Sequence, residues 1–129
     1  MNRIELPKPQ ADVRGSIQNL LELGAKDTPI RGVSIIRTNA RKTRSNHYHK
    51  TDGHWLYVYS GEVHYWERKV DEAKYPQHPA VFKTGDLFYT GPLLWHKTYF
   101  PVETVLISLS IRPRDSASHE DDVVREYVP

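Results

Sequence analysis

The chain has 129 residues, 18 lysines and arginines against 16 aspartates and glutamates, and no cysteine. That length suits one domain with a core that needs no staples, and the lack of cysteine excludes disulfides and thiolate metal sites. A formal charge of +2 gives no global argument for nucleic-acid or membrane binding, no apolar run approaches a membrane span, and the N-terminus lacks the apolar centre of a secretory signal, so a soluble cytoplasmic protein is expected.

In chain order, Gln18–Leu23 reads as a turn or a strand, and Gly24 stops it. Val33–Thr38 is a strand candidate, and Asn46–His49 is another. Thr51-Asp52-Gly53 reads as a tight turn. His54–Ser60 is dense in aromatic and β-branched residues and reads as a strand. Gly61-Glu62 turns the chain, and Val63–Arg68 returns it. Asp71–His78 has the charge and proline of a loop. Val81–Lys83, Leu87–Thr90 and Trp95–Phe100 are short strands separated by Gly85-Asp86 and Gly91-Pro92. Thr104–Ile111 alternates, with Val105, Ile107, Leu109 and Ile111 on one face and Ser108 and Ser110 on the other. In the polar tail, Val123-Val124 and Tyr127-Val128 are candidates to pair at a sheet edge or across a dimer. Many short strands at such spacing suggest a sandwich or barrel.

The chemistry concentrates in His47–Gly61. Side chains alternate along a strand, so His47 and His49 point to one face and Tyr48 to the other. The turn after Lys50 brings His54 back beside them. His96 comes from a later segment. Imidazole is a common ligand for transition metals, so His47, His49, His54 and His96 read as one metal pocket. Arg37, Arg41, Lys42, Arg44 and Lys50 cluster with no acid between them. They read either as a solvated loop or as an anion-binding rim for phosphates. His64, His78 and His119 read as ordinary surface histidines.

The two motifs, 47–61 and 85–96, resemble those of the cupin superfamily. Its first motif runs HxH, four residues, an acid, six residues and a glycine; His47, His49, His54 and Gly61 fall on that spacing. Its second runs from a glycine through a proline turn to a histidine, as do Gly85, Gly91-Pro92 and His96. The resemblance implies an all-β, single-domain cupin over 1–129, a double-stranded β-helix or jelly-roll barrel. His54 departs from the pattern, because the family has Glu there. A set of four histidines brings no ligand charge, which favours Zn, Ni, Cu or Fe over Mn or Mg.

Three further pieces resemble the sugar 3,4-ketoisomerases and, more distantly, the dTDP-4-dehydrorhamnose 3,5-epimerases. They are Asp12-Val13-Arg14-Gly15-Ser16, Asn46-His47-Tyr48-His49-Lys50 and Gly91-Pro92-Leu93-Leu94-Trp95-His96. This resemblance implies that His47 and His49 are metal-free acid–base groups. It implies that Arg14, or Arg37, Arg44 and Lys50, hold the diphosphate of a nucleotide sugar. The expected function is an isomerase or epimerase acting on a sugar or related hydroxy-ketone. The alternatives are a metal-dependent dioxygenase and a non-catalytic metal- or ligand-binding cupin. A homodimer is expected from exposed edge strands.

Overall fold

The computed structural model describes residues 3–20, 30–112 and 121–126. Leu21–Gly24, His119 and Tyr127-Val128, singled out above, lie outside them. The strands in order are β1 Arg3–Ile4, β2 Gln10–Asp12, β3 Gly15–Ile17, β4 Gly32–Thr38, β5 Lys42–His49 and β6 His54–Ser60. They continue with β7 Glu62–Lys69, β8 Ala80–Lys83, β9 Leu87–Thr90, β10 Leu94–Phe100, β11 Thr104–Ser110 and β12 Val123–Arg125.

Two five-stranded antiparallel sheets form the body, ordered β1-β9-β6-β11-β4 and β12-β5-β10-β7-β8. From β4 to β7, and again from β8 to β12, each successive strand lies in the opposite sheet. The chain therefore winds as a jelly roll and encloses a barrel interior. A separate two-stranded hairpin, β2-β3, carries Asp12 and Gly15 across its tip.

The expected strands from β4 to β11 form, with β5 starting earlier, at Lys42. Val123-Val124 do pair at a sheet edge, with Tyr48 and His49 of β5 in the same chain. Gly61 has a positive φ of 107°, and a Cβ there would meet Thr104 Oγ1 at 2.4 Å. A side chain at this turn would collide with β11, so glycine is required.

The core cluster is Leu56, Val58, Val63, Tyr65, Phe82, Phe88, Phe100 and Leu106. β11 alternates as its sequence reads, but the small polar side faces inward. Ser108 and Ser110 are fully buried, while Val105, Ile107 and Leu109 lie on the outer face. There Ile107 sits between Ile35 and Tyr57, and Leu109 between Val33 and Trp55. No helix among the described residues is long and apolar enough to cross a membrane.

Candidate active site

Four histidines reach one cavity from three strands. β5 ends in His47 and His49, β6 begins with His54, and β10 supplies His96. The register sets His96 directly opposite His47, so their side chains share the inner face. A bulge falls just before this pair. Ser45 and Asn46 both have positive φ, 69° and 68°, and the ladder shifts between His96 and Lys97. The extra residue re-aims the end of β5, a use to which bulges beside sites are often put.

The cavity holds about 240 Å³. Its polar wall is the four histidines with Arg44, Thr90 and Thr98, and Ile36, Leu56, Phe100 and Leu106 form its apolar wall. His49, His54 and His96 are buried, and His47 is half-buried. The ring of His47 lies 4.9 Å from that of His49 and 4.8 Å from that of His96.

The proton positions follow from the partners. Oδ2 of Asp122 lies 3.2 Å from Nδ1 of His49. Burial pushes the Asp122 carboxyl up. The bonds it accepts from the Thr51 hydroxyl and the Thr51 and Asp52 amides outweigh that, and its pKa is held below the ordinary value. Asp122 is therefore an acceptor, and Nδ1 of His49 must donate to it. That leaves Nε2 of His49 on the cavity side. Burial, the dominant cause, pulls the pKa of His96 from 6.5 to about 4, so this ring is neutral at pH 7. Its Nδ1 donates to the Leu94 carbonyl at 3.1 Å, which leaves Nε2 as its lone-pair nitrogen.

His54 packs differently. Its Nε2 lies 3.2 Å from Nε2 of His49 and 3.4 Å from Oδ2 of Asp52. The donor atoms therefore form two groups that share His49: His47, His49 and His96, and His49, Asp52 and His54, each within 4.8 Å. Two nitrogens bound to one tetrahedral ion at ordinary zinc distances sit about 3.3 Å apart. The His49–His54 spacing suits either an N–H···N hydrogen bond or a shared ion. The outward Nδ1–H bonds of His49 and His96 are also what metal-bound imidazoles make. The donor set thus fits a borderline divalent ion.

Of the basic residues expected to meet an anion, Arg44 lines the cavity. Its guanidinium donates to Thr38 Oγ1 and to the Arg37 carbonyl. Arg37 and Lys50 are exposed and outside the cavity lining. Arg14 sits on the β2-β3 hairpin, paired with Asp12 at 2.6 Å. His64 faces outward against Glu62, as expected.

Two acids of the site carry no clear signal in the sequence. Asp122 is 73 residues from His49, within the run Glu120-Asp121-Asp122, and nothing local marks it. Asp52 looked like a turn residue, yet it is buried, and its Oδ1 accepts the Arg112 amide. The adjacent histidines were the one available signal.

The fold is of the cupin kind: a jelly-roll barrel, here with histidines from β5, β6 and β10 gathered in one cavity. Within that class the chain resembles the sugar 3,4-ketoisomerases. No protein-family model and no curated protein matches it. The QdtA 3,4-ketoisomerase from Thermoanaerobacterium thermosaccharolyticum, solved as a double mutant with TDP, is 28% identical, with a TM-score of 0.66 over 93% of this chain and 83% of that one. The WlaRB TDP-quinovose 3,4-ketoisomerase from Campylobacter jejuni is 23% identical, with a TM-score of 0.71 over 93% and 88%. A 3,4-ketoisomerase from Helicobacter canadensis is 19% identical, with a TM-score of 0.71 over 93% and 86%.

Proposed function

We propose that this chain is a sugar isomerase that moves a carbonyl between adjacent carbons of a keto sugar carried on a nucleoside diphosphate. The observation that carries the reading is the His49–Asp122 pair at the cavity wall. A carboxylate behind an imidazole fixes its tautomer and stabilises the imidazolium when it forms. Nε2 of His49 is then placed to take the proton from the carbon next to the carbonyl. The resulting enediolate accepts the proton back at the neighbouring carbon. His47, on the same wall, moves the proton between the two oxygens. Carbon-bound protons next to a carbonyl are acidic, and an imidazole exchanges protons readily near pH 7. The QdtA structures that the chain resembles hold TDP or TDP-4-keto-6-deoxyglucose, which supports the substrate class. Arg44 is the cationic group at the cavity for the anionic end of such a ligand.

The test is incubation with TDP-4-keto-6-deoxyglucose in deuterated water, followed by NMR. Deuterium entering next to the carbonyl, with a 3-keto product, is expected. A folded protein that shows no binding and no exchange would overturn the proposal.

A second reading has its own support. The two donor groups sharing His49, and the outward Nδ1–H bonds, suit a divalent ion held by His47, His49, His54 and His96, with Asp52 beside His54. Zn, Ni, Fe or Cu fits this donor set. Such an ion supplies Lewis-acid stabilisation of a carbonyl or enediolate oxygen. Elemental analysis of protein purified without added metal separates the readings. Stoichiometric metal that falls on His54→Ala supports the ion; protein that isomerises after chelation returns the chemistry to His47 and His49.

The same proposal has the chain working as a homodimer. Ile35, Tyr59 and Val33 are 60%, 63% and 67% exposed, and they share the outer face of one sheet with Ile107 and Leu109. An apolar face of this kind is suited to a partner. Light scattering should give twice the chain mass, and Ile35→Lys should give the monomer. A monomeric parent protein would remove the claim.

A further inference from the structure

β12 is three residues long and lies at the edge of its sheet, paired with β5. So short an edge strand opens readily unless something else ties it down. Asp122, the carboxylate behind His49, sits immediately before it. Its near end is held at Asp122, whose carbonyl accepts the Lys50 amide at 2.8 Å.

The far end is held at Glu126. Its amide donates to the Asn46 carbonyl at 3.0 Å. Its own carbonyl accepts from Nε1 of Trp95, which also donates to Oδ1 of Asn46. Its carboxylate accepts from the Arg68 guanidinium and from the Tyr75 hydroxyl, both at 2.6 Å. Arg68 is buried, and its guanidinium lies 4.2 Å over the Tyr75 ring. It also donates to the carbonyls of Lys69, Val70 and Glu72. The network backs directly onto the cavity, because Asn46 precedes His47 and Trp95 precedes His96.

We propose that the Arg68–Glu126–Tyr75 clamp is a positioning device for His49: by pinning the far end of β12 it keeps Asp122 seated on Nδ1 of that imidazole. The inference rests on the acid–base reading of His49. Charge-assisted bonds to a buried guanidinium are the strong kind, and removing the carboxylate leaves that charge uncompensated. The strand then opens from Glu126 toward Asp122, and His49 loses the group that orients it. Arg68, Tyr75 and Glu126 touch none of the reacting atoms.

The test compares Glu126→Ala, Glu126→Gln, Asp122→Asn and the Glu126→Ala/Asp122→Asn double variant. Two readouts need no substrate: amide hydrogen exchange at Lys50, and the nitrogen-15 tautomer signal of His49. They remain decisive even if the isomerase reading fails. Glu126→Ala should speed Lys50 exchange and weaken the Nδ1–H signal of His49. Where turnover is measured, kcat should fall about 10- to 100-fold, the range seen when an outer partner of a functional group is removed, with KM little changed. Glu126→Gln keeps an acceptor for Arg68 and Tyr75 and should restore most of both signals. The double variant should be no slower than Asp122→Asn alone, because both act through one contact. Losses that multiply in the double variant would overturn the proposal. So would a folded Glu126→Ala protein with unchanged Lys50 exchange and an unchanged His49 tautomer. If Glu126→Ala does not fold, Tyr75→Phe removes one donor while leaving the ion pair. It should then shift both readouts in the same direction by less, and no shift would overturn the proposal.

Discussion

The two ends of the barrel interior are made from the same strands and have opposite chemistry. β6 turns His54, Leu56 and Val58 inward; β10 turns in His96, Thr98 and Phe100. β9 adds Thr90 and then Phe88, and β11 adds Ser110, Ser108 and Leu106. Each row begins polar and ends apolar. At the apolar end Phe82 and Phe88 stack with ring centres 4.1 Å apart. At the polar end four histidines share a cavity. Buried polar groups cost stability unless they are bonded, so the polar end is held in place by the packing of the other. Chemistry and stability are thus divided along β6, β9, β10 and the Ser110–Leu106 stretch of β11 rather than between strands.

Substitutions at the two ends should therefore separate activity from stability. The largest effect belongs to His49→Asn. Loss of a general base should lower the proton-exchange rate by about 10²- to 10⁴-fold, while the thermal midpoint moves little. An exchange rate within error of the parent would remove His49 from the mechanism. Phe88→Ala should do the reverse. It deletes a fully buried ring and should cost about 3–5 kcal/mol in a urea titration, with the activity per folded molecule retained below the transition. A loss under about 1 kcal/mol would mean that the apolar end does not hold the barrel.

Much of this division is legible in the sequence. The period-2 pattern and the turn residues give β4 to β11, and the alternation places His47 and His49 on one face, as found. What could not be read depends on contacts between distant segments. β1 and β3 lack any alternating run, and β1 forms because Arg3 and Ile4 pair with Phe88 and Leu87. The sense of β11 is hidden for a similar reason. Periodicity tells that Ser108 and Ser110 oppose Ile107 and Leu109, and only the neighbouring strands decide which side is enclosed. Spacing brings His54 close to His49, but it does not show that Asp52 would lie beside it. Asp122 was out of reach altogether, because its relation to His49 exists only once β12 pairs with β5.

The pH dependence of stability probes the polar end with a smaller effect. His96 titrates at about 4 in the folded chain and at 6.5 ordinarily. Between those values the unfolded chain binds a proton that the folded chain does not. Stability is therefore full above pH 6.5, falls as pH drops toward 4, and levels off below that. The whole step is about 3 kcal/mol. In chelator-treated protein, urea midpoints across pH 4 to 7 should show this slope, and His96→Gln should flatten it. An unchanged slope in that variant would mean that another group carries the acid sensitivity.

The smallest prediction tests whether the polar end is polar beyond need. Ser108 is fully buried opposite Leu56, and its hydroxyl has no hydrogen-bond partner among the described residues. An unpartnered buried hydroxyl is a standing cost, and removing it leaves only a small void. Ser108→Ala should therefore raise stability by about 1 kcal/mol, a rise in thermal midpoint of a few degrees. It should leave proton exchange untouched, because Ser108 lies outside the cavity lining. A fall in stability would show that the hydroxyl is bonded in solution, and Ser108 would then belong to the polar end as a working member rather than a surplus one.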